Sequence, residues 1–150
     1  MIRASFDTPT GPITLEESAG RIVRLWWGRD GDGTSEVLDA ARAQIAEYFA
    51  GRREVFDLPL TLRGNDFQIR FYEVLRAIPY GQTRTYGDIA RQMAVSAQAI
   101  GQACGANPIP LLVPCHRVLG ANSLGGFSGG TGVETKVALL RLERAAGLLI

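Results

Sequence analysis

The stretch Thr85-Tyr86-Gly87-Asp88-Ile89-Ala90-Arg91-Gln92-Met93-Ala94-Val95-Ser96-Ala97-Gln98-Ala99-Ile100-Gly101-Gln102-Ala103-Cys104 decides the fold of the C-terminal half. Thr85 is a capping residue with Asp88 three positions on, the pairing of a capping box, and predicts a helix over Tyr86–Met93. Ala94-Val95 breaks the pattern. Ser96 then caps a second helix over 97–104, which Gly105 and Pro108 end. Helix, tight turn, helix is the plan of a helix-turn-helix, used on DNA and also by many helix pairs that bind none. A helix reading the major groove carries several long polar side chains outward. Here Ala97, Ala99, Gly101 and Ala103 leave Gln98 and Gln102 as the polar reach. Small residues suit close backbone approach, either inside the protein or in the minor groove, where sequence is poorly distinguished.

Upstream of this pair, Phe67, Phe71, Val74, Leu75 and Ile78 form a helical stripe that Pro79-Tyr80-Gly81 ends. The first 62 residues have a different texture. Strand formers alternate with turn formers at 9–12 and 18–20, the pattern of a hairpin or short meander. Ser35 precedes a helical pattern of Val37, Leu38, Ala41, Ile45 and Phe49, with Gly51 as its stop, and a short strand over 56–60 is expected to close the lobe. The fold class is mixed α/β (α+β). A small structural strand-helix lobe over 1–62 precedes a mostly helical domain over 63–150, with a winged helix-turn-helix.

At 150 residues, 46% apolar and 21% charged, the chain suits one globular domain or two small lobes and excludes a disordered or fibrous protein. Two Cys and one His cannot build a disulfide framework and fall one ligand short of a four-coordinate zinc site unless a carboxylate completes it, so no metal and no cofactor are expected. Apolar runs such as 109–113 are far below the roughly 20 residues that cross a bilayer. With no basic-then-apolar leader, the reading is an unprocessed cytoplasmic protein with no membrane partner. The net charge of +1 hides an asymmetry: residues 1–62 sum to −3 and residues 63–150 to +4, so the second half is the one suited to a polyanion.

The chemistry concentrates in Asn107-Pro-Ile-Pro-Leu-Leu-Val-Pro-Cys-His-Arg-Val-Leu-Gly120. Cys115 follows an apolar run expected to be strand-like and precedes the sole His. A cysteine reacts as thiolate and needs a base or positive field to form it, which His116 and Arg117 can supply; the alternative is a buried structural thiol. On a strand, neighbouring side chains point to opposite faces, so a water between Cys115 and His116 is more plausible than direct contact. A C-terminal helix over 133–146 would place Val133, Val137, Leu139 and Leu140 on one arc, with Glu143 inside it. A buried acid needs a partner. His116 is one candidate, and Lys136 or Arg144 the other.

Pro114-Cys115-His116-Arg117-Val118, with Gly105-Ala106-Asn107-Pro108, Pro79-Tyr80-Gly81 and Thr85-Tyr86-Gly87-Asp88-Ile89-Ala90 before it, resembles the O6-alkylguanine-DNA alkyltransferases, also called methylated-DNA-protein-cysteine methyltransferases. The resemblance spans the chain, weakly over 1–62 and strongly over 67–143. It implies that Cys115 takes the alkyl group from guanine O6, with O4-alkylthymine as a further substrate, irreversibly and once per molecule. His116 and Glu143 would be the water-linked relay, and Asn107 would brace the helix-turn-helix against the active-site segment. Tyr86 would help rotate the nucleotide and assist the departing guanine. Val113 and Val118 would flank the guanine pocket, with Phe127 and Ser128 in its wall. The partner would be double-stranded DNA, bound by a monomer through the minor groove with little sequence preference, through Gln68, Tyr86, Gly87, Gln98, Ala99 and Gln102. Flipping the nucleotide out of the stack is what exposes O6 to a thiolate.

The sequence departs from the family pattern at three places. Gln98 stands where the family usually carries an Arg finger, Phe127 where a Tyr is common, and Thr131-Gly132 is an insertion before the last helix, which bears on the alignment of Glu143. The competing readings are a cysteine hydrolase, which would turn over repeatedly, a lesion-binding relative without an acceptor thiol, and a helix-turn-helix regulator. Cys115 opposes the second and the bare 97–104 helix the third.

Overall fold

Turn chemistry organises the first unit of the computed structural model, which describes residues 1–147. Ala19 and Gly20 both take positive φ and reverse the chain tightly between two strands. Strands β1 (Ile2–Phe6), β2 (Ile13–Ser18) and β3 (Arg21–Trp27) form an antiparallel meander in that order. Phe6 pairs with Ile13 and Ile13 with Trp27, with a register shift between Glu16 and Glu17. Helix α1 (Glu36–Phe49) begins at Ser35, whose side chain accepts from the Leu38 amide at 3.1 Å. Leu38, Ala41, Ile45 and Tyr48 recur at helical spacing and are buried, as are Ile13, Leu15 and Leu25 of the sheet. The strand expected over 56–60 does not form. Ile22 donates to the Pro59 carbonyl and accepts from the Thr61 amide, both at 2.9 Å, leaving one bridge at Leu60. Pro59 has no amide hydrogen to extend a ladder.

Contacts divide the chain into two compact units, Met1–Leu62 and Arg63–Ile150. In the second, α2 (Asp66–Arg76) opens with a capping box in which Asn65 and Gln68 satisfy each other's backbone amides. A two-residue strand β4 (Arg84–Thr85) leads directly into α3 (Tyr86–Met93), where Thr85 and Asp88 form the expected box. Ala94, in the left-handed conformation, turns the chain, and Ser96 caps α4 (Ala97–Gly105). Ile100 and Ala103 face inward, while Gln98, Gly101, Gln102 and Gly105 are exposed.

Two expectations for the active-site half are corrected. The run 109–113 is a turn, not a strand: the Val113 amide donates to Ile109 O at 2.9 Å, and Leu111 takes a φ of 75°. Pro108, Pro110 and Pro114 remove the donors a ladder needs. Cys115 therefore starts a 3₁₀ turn, Cys115–Arg117, followed by β5 (Val118–Leu119), which pairs in parallel with β4. The last helix, α5, covers Val133–Leu142 rather than 133–146, with Glu143 as its C-cap and Arg144 and Ala146 at positive φ. Its buried side includes Thr135, Lys136, Leu139 and Leu140, whereas Val133 is exposed.

Candidate active site

Four short elements converge on one cavity of about 320 Å³. Cys115 comes from the 3₁₀ turn, Tyr86 from the first residue of α3, Gly101, Cys104 and Gly105 from α4, and Gly126, Phe127 and Ser128 from the loop before α5. Cys115 is only 7% exposed. Gly125 has a φ of 71°, and a Cβ there would lie 2.7 Å from the Tyr86 ring, so a glycine is what lets the loop lie against the phenol. Asn107 links helix pair and thiol: its amide donates to Val113 O at 2.8 Å and its carbonyl accepts from the Ile109 amide at 3.0 Å.

Behind Cys115 lies a buried ionic network. His116 is fully buried, and its Nε2 lies 2.7 Å from Glu143 Oε2. Arg117 clasps the same carboxylate through Nε (2.8 Å) and Nη2 (3.1 Å), and its Nη1 donates to the Ile78 carbonyl at 2.7 Å. Of the partners open to Glu143, the structure provides His116 and adds Arg117. Burial opposes the Glu143 charge, but the bonds and charges of His116 and Arg117 outweigh it and hold the carboxyl at about 2. An anionic carboxylate only accepts, so His116 Nε2 carries the proton and Nδ1 keeps a lone pair. That Nδ1 is the one buried side-chain nitrogen or oxygen without a partner among the described residues. Burial lowers the His116 pKa despite Glu143, so the ring rests neutral at pH 7.

Lys136, the sole lysine of the sequence, enters the sequence reading only as an alternative partner for Glu143. It is buried, and Nζ donates to Val118 O at 2.6 Å and to Gly126 O at 3.2 Å, tying the strand after the thiol to the loop that walls the cavity. Its Nζ also lies 5.8 Å from the centre of the Tyr86 ring. Burial pushes the Cys115 thiol up, while Asn107 and the Lys136 charge pull it back. The signal available in sequence was its place one turn before Leu140, on the buried arc.

The remaining expected residues fall in three groups. Tyr86, Phe127 and Ser128 join Cys115 around the cavity. Val113 and Val118 are fully buried and lend their carbonyls to Asn107 and Lys136. Gln98 and Gln102 are exposed on α4, Ala99 is half-buried beside them, Gly87 is the second residue of α3, and the Gln68 carboxamide is engaged in the α2 capping box. No group of three or more His, Cys, Asp or Glu among the described residues is placed to hold a metal ion.

Residues 66–145 match the family described as 6-O-methylguanine DNA methyltransferase, DNA binding domain, and residues 1–62 match its ribonuclease-like domain. The chain belongs to the 6-O-methylguanine DNA methyltransferase family. A methylated-DNA–protein-cysteine methyltransferase of Mycobacterium tuberculosis is 42% identical, covering 94% of this chain and 91% of its own. The constitutive enzyme of that name from Bacillus subtilis is 39% identical over 92% of each chain. Among solved structures, the M. tuberculosis OGT in complex with DNA superposes with a TM-score of 0.87 at 41% identity, covering 96% of this chain and 93% of that one. In this methyltransferase, the half matching the DNA binding domain holds both the α3–α4 pair and the Cys115 cavity.

Proposed function

We propose that this protein repairs DNA directly, by moving an alkyl group from guanine O6 to the sulfur of Cys115, once and irreversibly. The observation that carries the reading is the juxtaposition of a cavity-lining cysteine with a buried His116–Glu143–Arg117 network behind it, on the same unit as an exposed helix of small residues. At rest Cys115 is a thiol and His116 neutral. A water bridging the Cys115 sulfur and His116 Nδ1 passes the thiol proton to the ring, and Glu143 stabilises the resulting imidazolium while Arg117 holds the carboxylate in place. The thiolate attacks the alkyl carbon, the carbon–O6 bond breaks, and its electron pair leaves with guanine. Tyr86 supplies a hydrogen bond or proton to the departing base. The products are a thioether at Cys115 and unmodified guanine. No cofactor takes part.

Access requires the target nucleotide to leave the helix stack, and α4 fits a minor-groove approach because Gly101 and Gly105 let its backbone come close. The DNA complex of the M. tuberculosis relative supports DNA as the partner here. On this reading residues 63–150 bind DNA and accept the alkyl group, and residues 1–62 are structural. No described helix is long and apolar enough to cross a membrane, and a DNA substrate assigns the protein to the cytoplasm.

Incubation with duplex DNA containing O6-methylguanine tests the reaction. The expected result is one added methylene on Cys115, ending at one equivalent. Folded protein with no adduct beside an intact lesion overturns the proposal, and continued turnover would instead identify a hydrolase.

A further inference from the structure

The alkyl-transfer reading uses one of the two sulfurs in the cavity. Cys104, on α4, and Cys115, at the start of the 3₁₀ turn, are the only cysteines of the sequence, both are free thiols, and both line the same 320 Å³ space. Cys104 is half-buried and Cys115 nearly closed off, so a small solute entering the cavity meets two sulfurs contributed by different elements. Burial pushes the Cys104 thiol up to about 12, with the Cys115 charge adding to it, so Cys104 is a poor alkyl acceptor.

We propose that Cys104 and Cys115 together form a dithiol site for small trivalent arsenicals, and that filling it blocks the alkyl acceptor. Soft sulfur ligands select soft acceptors, and a two-ligand site excludes tetrahedral zinc, for which no third or fourth His, Cys, Asp or Glu is placed among the described residues. Trivalent arsenic needs only the two sulfurs. With methylarsonous acid, two As–S bonds form, two As–OH bonds break, and the two thiol hydrogens leave with the hydroxyls as two waters. Arsenic stays trivalent and nothing is oxidised or reduced. The product is neutral, so the burial that disfavours thiolate anions in this cavity does not disfavour it.

Intact-mass measurement of the reduced protein with methylarsonous acid tests the site. One methylarsenic per chain is expected, with two thiol hydrogens lost, alkyl transfer blocked, and both effects reversed by excess 2,3-dimercaptopropanol. Cys104→Ala and Cys104→Ser are each expected to bind the reagent at least tenfold more weakly and to lose less of their own untreated transfer rate. Folded wild-type protein without an adduct overturns the proposal, and so does equal binding by wild type and either Cys104 variant. Because the adduct is read by mass, a protein that captures arsenic but never accepts a methyl group overturns the repair reading alone.

Discussion

The two units bury their polar groups in different ways. In residues 1–62 the interior is built mostly from Ile13, Leu15, Ile22, Leu25, Leu38, Ile45 and Tyr48, with Thr14, Glu16 and Glu17 of β2 also buried, and ion pairs such as Arg3–Asp30 (2.8 Å) and Arg53–Glu47 (3.0 Å) lie near solvent. In residues 63–150 the interior contains His116, Arg117, Lys136 and Glu143. A buried ion pair is frequently no more stable than the apolar residues that would fill its place. On the proposed relay, the second unit carries that cost where a proton is moved away from water.

Cys115→Ala gives the largest expected separation of chemistry from fold. Transfer should fall to the uncatalysed background while affinity for lesion DNA persists, as read by adduct mass and a binding titration; a parallel loss of binding would make Cys115 structural. Glu143→Ala should slow transfer by about 100-fold or more, as expected for losing a general-base relay. It should also cost about 3–5 kcal/mol of stability in urea, because Arg117 is left buried and unpaired. The matching cut in the first unit, Glu47→Ala, should cost less than about 1 kcal/mol. Equal costs would break the contrast.

Acid sharpens the same comparison. Glu143 is held at about 2, below its ordinary 4.5, so its contribution is complete above 4.5 and drains away as pH falls toward 2. His116 is also lowered, from 6.5, by burial, so the unfolded chain takes up a proton first and stability declines as pH drops below 6.5. Urea midpoints from pH 7 to pH 3 should therefore fall, and Glu143→Gln should flatten the lower part of that slope. Gln98→Arg, on exposed α4, should tighten DNA binding and speed single-turnover transfer, with a salt slope steeper by about one ion. Unchanged rate and affinity would remove any role for that position in DNA binding. Smallest is Ser35→Ala in the first unit, expected to cost about 1 kcal/mol through the lost α1 cap, with transfer per folded molecule unchanged.

Local signals were the legible ones. Ser35, Thr85 with Asp88, and Ser96 each mark a helix start that the structure realises at that residue. Hydrogen bonds spanning three residues depend on little beyond the residues themselves. The strands expected at 56–60 and 109–113 failed because apolar composition says a segment is buried, whereas a strand also needs amide donors that Pro59, Pro108 and Pro110 lack. The sequence pattern overextends α5 for another reason: Glu143 caps the helix where His116 and Arg117, more than twenty residues away, hold its carboxylate.

By itself the sequence determined which groups were available: a thiol beside the one histidine, an acid on a helix arc expected to be buried, and a helix pair with few long polar side chains. Only the tertiary structure decided how those groups are wired. It turned Cys115 into the cavity and His116 toward Glu143 from adjacent positions of a 3₁₀ turn, recruited Arg117 to the carboxylate, and placed Lys136 between Val118 and Gly126. The physical reason is burial: which charges pair, and which protonation state each group keeps, depends on desolvation and on neighbours distant in the chain.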